Sequence, residues 1–365
     1  MAKRDLLNRI YEFYTSDLSI RDVERLIKRD APQVYDFYVR RMKKPEETKK
    51  SRMRILLFLR NLFVEFLLKL TPIRRLFYSL ALMFFIVGFL MGLWNWALLS
   101  FLMLNLLIAF ELADKLTAKD ELAVARDIQS SLMPGQAPQN EFYDIACYYE
   151  SAREVGGDYY DFICPETQPD KTYLVVGDIS GKGVGAALHM LQVQAILRFI
   201  VNQCQDPRNI LCLLNKTTRN ILKPDNFFTA TLALFESGKP DLLISRAGHT
   251  PLLHFQAAHG KAVNIVPMGM GIGFRDGGMF DKVLEEITVV TEPGDILIFY
   301  TDGVTEMMDS HRNLFGDEAL RQLVEKNAFK TVSEIQETIL HALSRFRDYG
   351  PANDDMTLII LKRKK

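Results

Sequence analysis

Residues 76–110 contain no Asp, Glu, Lys or Arg in 35 consecutive positions. A run of that length and apolarity belongs in lipid. As one helix it would extend roughly 50 Å, at about 1.5 Å per residue, against a hydrocarbon core about 30 Å thick. Two short spans fit better, near 76–93 and 96–110, with Trp94, Asn95 and Trp96 at the turn, where indole rings favour the water interface. Arg74 and Arg75 precede the pair, and Lys115 and Lys119 follow it. The excess of positive charge on that side puts both ends in the cytoplasm and the hairpin in the inner, cytoplasmic membrane. A buried helical hairpin of a soluble protein is the alternative. Upstream, residues 53–70 are apolar but interrupted by Arg60, Glu65 and Lys69. That pattern suits a helix lying on membrane lipid, and equally an amphipathic packing helix. Residues 1–45 read as helical and charged, with no identifiable chemistry.

Residues 111–133, ELADKLTAKDELAVARDIQSSLM, are rich in helix formers and place Leu122, Ala125, Gln129 and Leu132 on one face before Pro134 and Gly135 end the helix. This predicts a linker helix over 111–134, acting as a spacer, or as a signal relay and homodimer contact. Beyond Pro138 the period changes. Strand-like runs occur at 142–149, 173–176, 229–235, 242–245, 283–290, 296–300 and 356–361. Helical patterns interrupt them at 185–204 with 206–222, and at 317–326 with 332–347. Strands, a helix pair, strands, a helix pair and a final strand predict an α+β layered domain and not an alternating parallel one. The chain therefore divides into a basic, amphipathic region at 1–75, a membrane hairpin at 76–110, the linker at 111–134 and a catalytic domain at 135–365.

Lys+Arg and Asp+Glu both number 45, so no overall charge argues for nucleic acid, and none is expected as a partner. The charge is clustered: basic residues crowd positions 40–75, and the later part is rich in Asp and Glu. Cys147, Cys164, Cys204 and Cys212 form no CxxC pair and no zinc spacing. They read as reduced, mostly buried thiols of a cytosolic domain.

Four aspartates stand at or beside the ends of apolar strands: Asp158 in EVGGDYYDF, Asp178 in YLVVGDISGKG, Asp302 in LIFYTDGVTE and Asp354 in NDDMTLIIL. Singly, an Asp beside Gly is ordinarily a turn residue. Together, strands that each emit a carboxylate at one end gather negative charge at one edge of the core, and such charge needs neutralising. Oxygen-only ligands suit magnesium or manganese better than zinc. Two such ions about 3.5 to 4 Å apart can share and deprotonate a water and aim it at phosphorus, which is hydrolysis without a protein nucleophile. No competing site is evident. His249, His254 and His259 match no helical or zinc spacing, and His249 reads as a hydrogen-bonding turn residue. GDISGKG is too short for a P-loop and has Gly183 where Ser or Thr would hold magnesium, although Lys182 could attract a phosphate.

Taken in order, GGDYYDF, GDISGKGVGAAL, RAGHTPLL, FYTDGVTE and NDDMTLIIL resemble the PPM-type metal-dependent protein phosphatases of the SpoIIE/RsbU branch. The resemblance implies an α-β-β-α sandwich with a two-metal centre of Mn2+ or Mg2+. Its ligands would be the carboxylates of Asp158, Asp178, Asp302 and Asp354 and the backbone carbonyl of Ile179. It also implies a phosphoserine or phosphothreonine protein substrate, typically a small STAS-type antagonist that controls an anti-sigma factor or a similar partner switch. ARDIQSSLMP at 125–134 resembles the helix that joins sensor to phosphatase in such relatives, which favours the relay over the spacer. Two positions depart from the commonest pattern: Arg246 stands where Asn is frequent, and PMGMGIG at 267–273 is a looser form of a Gly-Xaa-Pro-Leu-Gly turn. Both bear on substrate preference and not on the ligands. GGDYY superficially resembles the GGDEF signature of diguanylate cyclases, but the Glu is missing and TDG and NDDMT stay unexplained. A non-enzymatic scaffold of the same fold would be marked by lost carboxylates, and all four are present.

Overall fold

The computed structural model of the protein describes residues 51–219, 221–222, 226–274 and 278–364. The expected charged helical segment at 1–45 lies outside the described residues. The chain divides into two compact units, Met1–Thr117 and Ala118–Lys365.

The first unit holds α1 (Ser51–Lys69), α2 (Pro72–Met91) and the beginning of α3 (Trp94–Leu132). Pro72 opens α2 where a missing N–H costs nothing, because that position has no intrahelical acceptor. Gly92, at φ 67°, ends it in the left-handed conformation. Gly88 lets the returning chain approach closely: a Cβ there would lie 2.9 Å from the amide nitrogen of Ala97. The reversal thus falls at Gly92 and Leu93, and both Trp94 and Trp96 belong to the next helix. The Arg74 guanidinium ties the two helices by pairing with Glu111 at 2.8 Å and Asp114 at 2.6 Å. Helix α3 runs unbroken past residue 111, so the second apolar stretch and the linker form one element. By length and composition, α2 and α3 could each cross a membrane, and so could a third helix, Val184–Val201. That third helix is a packing element of the second unit.

The second unit runs, in chain order, through β1 (Tyr143–Glu150), β2 (Asp158–Ile163), β3 (Lys171–Ile179), α4 (Val184–Val201), α5 (Pro207–Thr218), β4 (Phe228–Glu236), β5 (Leu242–Ala247), β6 (Leu252–Gln256), β7 (Lys261–Ile265), α6 (Met279–Val283), β8 (Glu286–Val289), β9 (Ile296–Tyr300), α7 (Asp302–Thr305), α8 (Asp317–Asn327), α9 (Val332–Phe346) and β10 (Met356–Arg363). The strands make two five-stranded sheets, in the orders β1-β10-β9-β6-β7 and β2-β3-β4-β5-β8. All their pairings are antiparallel.

Alternation along the strands stacks the layers. In β9, Ile296, Ile298 and Tyr300 share a core with Leu320 and Val324 of α8 and Ile335 and Ile339 of α9. Leu297 and Phe299, pointing the other way, join the core that contains Leu174 and Val176 of β3 and Leu197 and Leu214 of α4 and α5. Strand β10 repeats the scheme, with Leu358 and Ile360 on one side and Ile359 and Leu361 on the other. Each fully buried Leu or Ile of this kind contributes about 1.5 to 3 kcal/mol of transfer free energy. The result is the expected α-β-β-α sandwich.

The elements depart locally from the sequence expectation. Strands β2, β6 and β7 were not expected from periodicity, and the run at 283–290 is split between the end of α6 and β8. Helix α5 stops at Thr218 and does not reach 222. The four cysteines are free, but only Cys212 is buried and Cys164 is exposed, at the end of an edge strand.

Candidate active site

The two sheets bring their acidic strand ends together. Asp158 opens β2 and Asp178 lies near the end of β3, and the antiparallel register sets them directly opposite each other. Asp302 follows β9, and Asp354 and Asp355 immediately precede its neighbour β10. The link between the sheets is a pair of hydroxyls. Thr301 and Thr357 each donate to the same Asp158 oxygen, Oδ2, at 2.7 Å. They are locked to each other as well: the Thr357 amide donates to the Thr301 hydroxyl at 2.9 Å, and the Thr301 amide to the Thr357 carbonyl at 3.1 Å.

Crowding leaves an electrostatic signature. Burial, and then the charges of Asp158, Asp302, Asp354 and Asp355, push the Asp178 carboxyl up to about 9. Asp158 is raised well above the carboxylate range, chiefly by burial and against the pull of the two threonine hydroxyls. Asp302 is also raised, first by burial and then by Asp354 and Glu306. Like charges so close in a dry site hold protons unless a cation offsets them.

Asp354 and Asp355 are adjacent and do different work. Both Asp355 oxygens are taken: Oδ1 accepts from the Ala152 amide at 2.8 Å and the Ser151 hydroxyl at 3.1 Å, and Oδ2 accepts from the Gly157 amide at 2.7 Å. It fastens β10 to the loop that enters β2. Asp354 lines a cavity of about 350 Å³ together with Asp178, Asp302, Ser180, Thr229 and His249, among others, and its carboxylate pairs with the Lys182 ammonium. Gly157 keeps that region open, since a Cβ on it would come within 3.0 Å of the Ile179 carbonyl oxygen and 3.2 Å of Asp178 Oδ1. Buried His249 shares a hydrogen at 3.0 Å between Nδ1 and the Thr229 hydroxyl. Burial and the nearby Arg246 charge lower its pKa to about 3, so it is neutral.

The donors are all hard oxygens, with two carboxylates in register and a carbonyl next to a position that tolerates no side chain. This composition fits magnesium or manganese. Among the described residues no three Asp, Glu, His or Cys side chains form a ready cation cage as they stand. Protein donors meet two of the carboxylates, threonine hydroxyls at Asp158 and an ammonium at Asp354.

The end of α3 grips the same loop. The Gln129 amide meets Gly156 at both backbone groups: Nε2 donates to the carbonyl at 2.8 Å, and Oε1 accepts from the amide at 3.1 Å. Arg126 donates to the carbonyls of Glu154 at 2.8 Å and Arg153 at 3.0 Å. A Cβ on Gly156 would collide with the Asp355 carboxylate at 2.6 Å, so only glycine fits between these contacts. Sequence reasoning singled out the four aspartates and Ile179 but missed Thr301, Thr357, Gln129 and Arg126 as parts of the site. Both threonines stood inside the quoted motifs, next to Asp302 and two residues after Asp355.

Residues 168–364 match the Stage II sporulation protein E (SpoIIE) family. Phosphoserine phosphatase RsbU of Bacillus subtilis is 26% identical over 249 residues, covering 67% of this chain and 71% of that protein. Protein IcfG of Synechocystis is 28% identical over 285 residues, covering 70% of this chain but only 43% of IcfG. Among solved structures, the SiaA-PP2C domain of Pseudomonas aeruginosa superposes with a TM-score of 0.59 at 22% identity, covering 68% of this chain and 98% of that domain.

Proposed function

Since this chain belongs to the SpoIIE family, we propose that it is a metal-dependent protein phosphatase that hydrolyses phosphoserine or phosphothreonine on a signalling partner. The observation that carries the reading is the convergence of Asp178, Asp302 and Asp354, from strand ends of both sheets, on one cavity beside Asp158. The carboxylates of Asp158, Asp178, Asp302 and Asp354 and the Ile179 carbonyl would hold two cations, manganese or magnesium. Bound there, the cations supply an acidified water for attack on phosphorus and offset charge on the phosphoryl oxygens. Thr301 and Thr357 orient Asp158 for this, and Gly157 leaves the space it needs. The sandwich walls hold the carboxylates in place before substrate arrives, so little reorganisation is required.

The substrate is proposed, as the resemblance of the motifs implies, to be a phosphorylated STAS-type antagonist that controls an anti-sigma factor; the similar RsbU is named a phosphoserine phosphatase. Helices α2 and α3 are proposed as a two-span anchor in the cytoplasmic membrane, with the catalytic domain on the cytoplasmic side. The last turns of α3 are proposed as the relay. Its face with Leu122, Ala125 and Gln129 is at least half-buried; Leu132, expected on that face, is instead exposed with Val124 and Ile128, and these three are proposed as a surface for a dimer. The test is phosphate release from a phosphoserine protein in manganese or magnesium. Asp178→Asn and Asp302→Asn are expected to lower turnover by at least about 100-fold, as loss of a main electrostatic contributor does; turnover retained in both would defeat the reading.

A further inference from the structure

Lys182 stands in the turn between β3 and α4, between Gly181 at φ 103° and Gly183 at φ 76°. Both are conformations that glycine adopts freely. No atom lies within 4 Å of a Cβ placed on Gly181, so that side of the turn is open. The ammonium donates to Asp354 Oδ2 and, at 3.3 Å, to the Asn353 carbonyl, and its side chain is 47% exposed. The acceptor is held far more firmly than the donor. Asp354 Oδ1 accepts from the Asp355 amide at 3.0 Å. Asn353, beside it, accepts from the Met308 amide and donates to the Glu306 carbonyl, both at 3.1 Å. A flexible cation on an open turn therefore rests on a fixed carboxylate that lines the cavity with Asp178 and Asp302.

We infer that Lys182 is an internal counter-cation that competes with divalent metal for Asp354 and swings off it when the metal binds. The inference rests on the reading of Asp354 as a metal ligand. An ammonium and a divalent ion cannot both approach Oδ2 without strong repulsion. Lysine is suited to this exchange, because it is a single point charge on a four-carbon stem and not a bidentate fork. A half-exposed pair is weak, so the metal wins, but its apparent affinity falls by the fraction of Asp354 that lysine occupies. Lys182 then tunes the metal concentration at which the site fills.

Calorimetric titration of the full chain with manganese tests this without reference to turnover. Lys182→Gln is expected to bind manganese about fivefold more tightly than the unaltered protein, the upper range for an exposed ion pair. Lys182→Arg, which keeps the charge and adds a bidentate fork, is expected to bind manganese no more tightly than the unaltered protein. Equal or weaker binding by Lys182→Gln would overturn the inference. If Asp354→Asn then still weakens manganese binding, only the role of Lys182 is lost. If none of the proteins binds manganese, the reading of the metal site fails and the inference fails with it.

Discussion

Asp178 carries the sharpest consequence at the scale of single residues. Burial and its acidic neighbours push its carboxyl up to about 9, whereas an unfolded chain would ionise it near about 3.9. The folded state then holds a proton that the unfolded state has lost. The contribution of Asp178 to stability is therefore fully present below about pH 4 and is lost as pH rises toward about 9. Thermal unfolding in chelator should show the melting temperature dropping across that window. Asp178→Asn should melt higher than the unaltered protein at pH 8, by roughly 2 to 4 °C for each kcal/mol relieved, and should show a flatter pH profile. Parallel profiles for the two proteins would mean that Asp178 is not under the stress described. Asp158 shows the opposite device, two threonine hydroxyls on one oxygen, which favour its ionised form.

Among the elements, the end of α3 and the loop before β2 are coupled through Gln129, whose side chain is 4% exposed. Gln129→Ala would strip partners from the amide and carbonyl of Gly156, and a buried unmade hydrogen bond costs about 1 to 3 kcal/mol. Amide exchange across residues 151–157 is expected to accelerate in that variant while β9 and β10 stay protected. Unchanged protection would remove the physical basis for a relay. The legibility of the elements follows their burial. Strands β9 and β10 are covered on both faces and read directly from unbroken apolar runs. Strand β2, DYYDFI, does not, because its two aspartates look like loop residues. Being three apart, they point to opposite faces: Asp158 meets the threonines, and Asp161 takes a bidentate Arg198 at 2.8 and 3.0 Å with the Tyr159 hydroxyl. Strand β7 is a five-residue edge strand with Lys261, Val263 and Asn264 exposed, so its pattern is faint. The aspartates were visible as strand-end residues. The threonines were not, because Thr is an ordinary strand former and its hydroxyl target at Asp158 lies 143 and 199 residues away.

At the scale of the whole molecule, an apolar helical unit and a catalytic sandwich lie on one chain. Many large apolar side chains of α2 and α3 are exposed, among them Phe89, Leu90, Trp94, Phe101 and Ile108. An exposed apolar surface of that extent is what the proposed two-span anchor would present to lipid. The full chain should accordingly remain with membranes through high salt and alkaline carbonate and leave only with detergent; release by salt alone would contradict the anchor. The central claim is that carboxylates from two sheets share a pair of cations. Electron paramagnetic resonance of the manganese-loaded protein tests it most directly. The account predicts two Mn2+ per chain with a spin-coupled spectrum, as expected for ions about 3.5 to 4 Å apart, and loss of the coupling in Asp178→Asn. One isolated ion per chain, or an unchanged coupled spectrum in that variant, would contradict it.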